Sequence, residues 1–120
     1  MASVLIADDS VVMEAILHYL VERAGHTVIG VAKDGDTAVE LYRSLQPGLT
    51  ALDIFMKGSD GLSALKEIKQ MNPAAKVIML AADGQDAEEV EARQYGADGL
   101  LRKPFTLNAV VDELTRVLGG

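Results

Sequence analysis

Three aspartates and a lysine, at three places far apart in the chain, stand where apolar runs give way to turns. Leu49-Thr50-Ala51-Leu52 stops at Asp53, Ser3-Val4-Leu5-Ile6-Ala7 stops at Asp8-Asp9, and Gly99-Leu100-Leu101-Arg102 runs into Lys103-Pro104. An Asp after an apolar run is by itself a common turn former. If the runs are parallel neighbours, however, their carboxyl ends gather Asp8, Asp9, Asp53 and Lys103 on one rim, where open α/β sheets place their chemistry. Carboxylates brought that close repel and resist ionising together. A hard divalent cation relieves the repulsion, and an oxygen-rich site with room for water suits Mg²⁺. A lysine beside such an ion suits the handling of a phosphoryl group.

The elements that must position these groups follow from the pattern. The run ending at Asp53 is apolar on both faces, as a central parallel strand should be. Five strands are expected, at Ser3–Ala7, Thr27–Ala32, up to Asp53, Lys76–Ala81 and Gly99–Arg102. Between them lie helical patterns. The first begins near Ser10, presents Val12, Ile16, Leu20 and Ala24, and closes at Gly25. The second turns Ala38, Leu41, Tyr42 and Leu45 inward and stops at Pro47. The third, capped by Ser59 or Asp60, buries Leu62, Leu65, Ile68 and Met71 before Asn72-Pro73. The fourth offers only Ala87, Val90 and Ala92 or Tyr95, so it should be loosely held. The last starts at Thr106 and shows Leu107, Val110 or Val111, Leu114 and Val117 or Leu118. Alternating strands and helices call for an α/β three-layer sandwich, a (βα)5 chain around a parallel five-stranded sheet. The pattern does not fix strand order, but the flavodoxin-like order 2-1-3-4-5 is the simplest that puts the four site residues at one rim.

Composition sets the bounds. A chain of 120 residues fits one domain, with 49% hydrophobic and 24% charged residues. There is no cysteine, which agrees with a reducing, cytoplasmic setting. No apolar run approaches the roughly 20 residues that span a bilayer, and no export signal opens the chain. A net charge of −7 argues against a nucleic-acid backbone as partner.

Together these residues resemble a response-regulator receiver domain, and among single-domain members the chain is similar to the chemotaxis type. The resemblance spans the whole chain. It is carried by Asp8-Asp9, by Asp53-Ile54-Phe55-Met56 with Asp60-Gly61, by Gly96-Ala97-Asp98-Gly99 and by Lys103-Pro104-Phe105. It implies that Asp53 is the phosphoacceptor for a histidine kinase or phosphotransfer protein. Asp9 and Asp53 would ligate Mg²⁺ directly, Asp8 mostly through water, and the Phe55 carbonyl would add a ligand. Lys103 and the Ala82 N–H would meet phosphoryl oxygens, and Lys103–Pro104 would be cis. A downstream target would read the face formed by the fourth helix, fifth strand and fifth helix. The chain is expected to be a monomer or weak dimer, and a phosphoacceptor with at most slow autophosphatase activity.

Departures from the family concern the switch. Ala81 stands where a Ser or Thr hydroxyl is usual, and a lost bond to a charged group is worth about 1.5–3 kcal/mol. Leu100 replaces a rotating aromatic residue and is expected to stay buried. Lys57 stands in place of a proline, Ser59 in place of an apolar residue, and Gly48 in place of an Asp after Pro47. Lys57 reads as a solvated loop residue, and His18 and His26 as structural and apart from any carboxylate pair. The alternative is a pseudo-receiver, an interaction module that phosphate does not control. A phosphohydrolase lacks its second acid, because Phe55 occupies that place, and a flavin protein lacks a phosphate loop after the first strand.

Overall fold

The computed structural model describes residues 1–56 and 59–119; Lys57, Gly58 and Gly120 lie outside them. In chain order the elements are β1 (Ser3–Ala7), α1 (Val11–Arg23), β2 (Thr27–Ala32), α2 (Gly35–Leu45), β3 (Leu49–Asp53), β4 (Phe55–Met56), β5 (Ser59–Asp60), α3 (Gly61–Met71), β6 (Val77–Ala81), α4 (Asp86–Gln94), β7 (Gly99–Arg102) and α5 (Leu107–Gly119). β4 and β5 form a small antiparallel ribbon of their own. The five remaining strands make one parallel sheet in the order β2-β1-β3-β6-β7. Counting sheet strands alone, that is the expected 2-1-3-4-5.

The sheet is buried on both faces, which is why its inner strands read as continuous apolar runs. Side chains alternate along β1. Val4 and Ile6 pack with Leu17 and Val21 of α1 and with Val110, Leu114 and Val117 of α5. Leu5 and Ala7 face the other way, toward Tyr42 of α2, Leu65 and Ile68 of α3 and Ala92 of α4. β3, at the centre, is buried from end to end.

Helix boundaries follow local chemistry. The Ser10 hydroxyl accepts from the Met13 N–H at 3.2 Å, and the Asp60 carboxylate accepts from Leu62 at 2.9 Å. Thr106 takes the Ala109 N–H at 3.2 Å. Gly25, at φ 95°, follows the end of α1 in the left-handed region that closes helices.

Several inward faces differ from expectation. On α1, Val12 and Ile16 are exposed, and Leu17 and Val21 form the buried seam. Residues four apart drift about 40° around a helix, so Val12, Ile16, Leu20 and Ala24 wind off one stripe. Leu45 and Met71, at the last turns of their helices, are both 39% exposed. On α4, Ala87 and Val90 are exposed, and only Glu89 and Ala92 are buried. Val110, not Val111, faces the core from α5. Leu100 is half-buried against the core rather than enclosed by it. His18 sits 3.4 Å from Glu14 and 3.5 Å from Glu22, one helical turn to either side, so it does neighbour a carboxylate pair.

Candidate functional site

Parallel register brings the charged groups together. Ala7 pairs with Leu52, Asp53 with Leu80 and Ala81 with Arg102. The residues just beyond these strand ends therefore meet at one edge. Backbone bonds carry the ladder into the site: Asp8 N donates to Ala32 O at 3.1 Å, Ile54 N to Leu80 O at 3.0 Å and Lys103 N to Ala81 O at 2.8 Å.

Each acid is fixed by its own local structure. Asp8 is wholly buried, and its Oδ1 accepts from the Ser10 N–H at 2.9 Å, ahead of the first turn of α1. Its Oδ2 makes no hydrogen bond but lies 3.2 Å from Lys103 Nζ, an ion pair without hydrogen-bond geometry. Asp53 is 5% exposed, and its Oδ2 accepts from Lys103 Nζ at 3.0 Å. Asp9, on the solvent side, completes the set: one carboxylate oxygen from each of Asp8, Asp9 and Asp53 lies within 4.8 Å of the others. Gly61 makes the approach possible from below. Its N–H donates to Ile54 O at 2.8 Å, and a Cβ there would collide with the Asp53 carbonyl.

The electrostatics follow from this crowding. Burial pushes the Asp53 carboxyl up to about 6, the Lys103 hydrogen bond pulls it back, and the Asp8 charge adds to the rise. Burial alone would lower the Lys103 ammonium, but its bond to Asp53 and the charges of Asp53 and Asp8 outweigh that and hold it above its ordinary value. Among the described residues, Lys103 lies within ion-pair distance of two of the three carboxylates, Asp8 at 3.2 Å and Asp53 at 3.0 Å. A buried acceptor atom without a hydrogen bond, Asp8 Oδ2, faces the same space. An all-oxygen donor set, partly solvated, fits a hard divalent cation such as Mg²⁺.

Asp8, Asp9, Asp53 and Lys103 are therefore brought together as the sequence suggests, and Lys103–Pro104 is cis. Ala82 stands just beyond β6, but its N–H is already engaged, donating to Gln85 Oε1 at 2.7 Å. Phe55 opens the β4–β5 ribbon and is 52% exposed. Lys57 falls outside the described residues. Two polar residues near this rim were missed in the sequence. Gln85 precedes α4 and looks there like a generic turn residue. Glu89, 7% exposed, accepts from Arg102 at 2.7 Å, and reading α4 only for apolar anchors hid it.

Comparison with known proteins agrees with this geometry. Residues 4–115 match the model of the response regulator receiver domain. The chain is 40% identical over 114 residues to the chemotaxis protein CheY of Thermotoga maritima, covering 95% of each. It is 36% identical over 115 residues to the chemotaxis protein CheY of Bacillus subtilis, covering 96% of each. Among solved structures, the receiver domain of NtrX from Brucella abortus superposes with a TM-score of 0.91 at 31% identity, over 97% of this chain and 98% of that one. With the sheet order, the acidic rim and these matches in agreement, the chain belongs to the response regulator receiver domain family, the CheY-like phosphoacceptor domains of two-component signalling.

Proposed function

We propose that Asp53 accepts a phosphoryl group from the phosphohistidine of a histidine kinase or phosphotransfer protein. The observation that carries this reading is the convergence of Lys103 Nζ on Asp53 Oδ2 and Asp8 Oδ2, at 3.0 and 3.2 Å. An Asp53 oxygen attacks phosphorus, the bond from phosphorus to the histidine nitrogen breaks, and the imidazole leaves with the electron pair. The Lys103 ammonium then turns from the Asp53 carboxylate to a phosphoryl oxygen and balances its charge. Asp8, fixed by Ser10, and Asp9 would hold Mg²⁺ together with Asp53 and the Phe55 carbonyl, and the ion would supply positive charge against the phosphoryl oxygens. The Ala82 N–H meets another phosphoryl oxygen. Water reaching the same site makes the protein at most a slow autophosphatase.

The consequence is a changed surface on α4, β7 and α5, which a downstream target protein reads. This reading makes residues 1–120 a single receiver domain, cytoplasmic, a monomer or weak dimer, and without direct contact to nucleic acid. Among the described residues no helix is long and apolar enough to cross a membrane. Ala81 and the half-buried Leu100 favour a muted switch, and they favour the second reading too, a pseudo-receiver that keeps the fold but not the control.

Amide spectra with Mg²⁺ and beryllofluoride test both. Shifts around Asp53 support the phosphoacceptor, and their spread through residues 83 to 105 measures how much switching survives. No shift at all would leave the pseudo-receiver.

A further inference from the structure

We propose that Gln85 is a positioning residue that regulates the phosphoryl site: its side chain closes the Ala82 amide, and a phosphoryl oxygen must displace it. This deepens the phosphoacceptor reading and rests on it.

Strand geometry locates the amide. Leu80 O accepts from Ile54 N of the β3 side, whereas Ala81 O accepts from Lys103 N of the β7 side. Alternate residues of a parallel strand direct their backbone groups to the same neighbour. Ala82, two beyond Leu80, therefore presents its N–H toward the end of β3, where Asp53 stands. With a methyl at Ala81, no side chain there reaches the same point. The Gln85 carbonyl takes this N–H at 2.7 Å.

Gln85 is also the residue from which α4 starts, yet it makes no side-chain capping bond to its own helix. Its amide is turned back onto Ala82. A neutral carbonyl is a weaker acceptor than a charged phosphoryl oxygen, by roughly a factor of two in bond strength, so the exchange runs toward the phosphoryl group. Displacement frees the first turn of a helix that buries only Glu89 and Ala92. The signal that a hydroxyl at position 81 would carry passes instead through Gln85.

The test is a beryllofluoride titration of the whole chain at saturating Mg²⁺, followed by amide and side-chain NH₂ resonances, for the wild type, Gln85→Ala and Gln85→Glu. Opening the amide in Gln85→Ala should tighten binding about threefold to tenfold, the range for one neutral hydrogen bond. Gln85→Glu, which sets a carboxylate against the anion, should weaken it by at least as much. In the wild type the Gln85 NH₂ signals should shift together with the Ala82 amide. Equal affinity across all three proteins, or an Ala82 shift with the Gln85 NH₂ signals unmoved, overturns the proposal and leaves Asp53 as acceptor. No binding to the wild type overturns both.

Discussion

Asp53 is uncomfortable in the metal-free protein, and that discomfort is measurable. Its carboxyl is raised from an ordinary 3.8 to about 6 by burial, so the folded state holds a proton that the unfolded chain has already released. Stability must then fall as pH rises between those two values. The loss should be on the order of 1–3 kcal/mol, and an Asp53→Asn variant should not show it. Asp34 and Glu113, held below their ordinary values by their hydrogen-bond partners, contribute with the opposite sign. Their stabilisation is lost as pH falls, in both proteins alike, so it cancels in the difference. Urea unfolding in EDTA across this pH range decides the matter; parallel curves for the two proteins would contradict it. The four charged residues were legible because they stand within two residues of the ends of three apolar runs, and sequence displays those boundaries directly. Gln85 was not, because the group it serves is a backbone N–H, which sequence gives no reason to single out.

At the level of elements, the β3–α3 connection is the least forgiving. Gly61 lies against the Asp53 carbonyl, so Gly61→Ala must push either the start of α3 or the end of β3 aside. A destabilisation of about 3 kcal/mol or more is expected, together with weaker Mg²⁺ binding because Asp53 moves with the strand. A variant with wild-type unfolding and metal affinity would show that the carbonyl gives way freely. α4 is the opposite case. It keeps Glu89 and Ala92 inside, whereas α3 buries Leu62, Ala64, Leu65 and Ile68. Amide exchange in α4 should accordingly run about tenfold or more faster than in α3, and equal protection would refute its loose anchoring. Such thinness could be read from composition, but which face of α1 is buried could not. That helix is apolar on most sides, and the packing of β1 and α5 against it selects Leu17 and Val21 over Val12 and Ile16.

For the molecule as a whole, the sheet gathers at one edge the adjacent pair Asp8-Asp9 and Asp53, which stands 44 residues beyond Asp9 in the chain. Fold class was within reach of the sequence because unbroken apolar strands and alternating helices leave few topologies. Strand order was not fixed by that pattern and followed only from requiring the four charged residues to share one rim. The exchange of partners at Ala82 was out of reach, since it depends on a side-chain rotamer beside the sheet. In the function proposed above, this edge serves to place one phosphoryl group on Asp53. Intact-mass measurement after incubation with Mg²⁺ and acetyl phosphate tests it most directly. A gain of a single phosphoryl group is expected, and it should disappear in Asp53→Asn and when EDTA removes the metal. A phosphoryl gain that persists without the Asp53 carboxylate, or a folded wild type that takes up none with Mg²⁺ present, would contradict it.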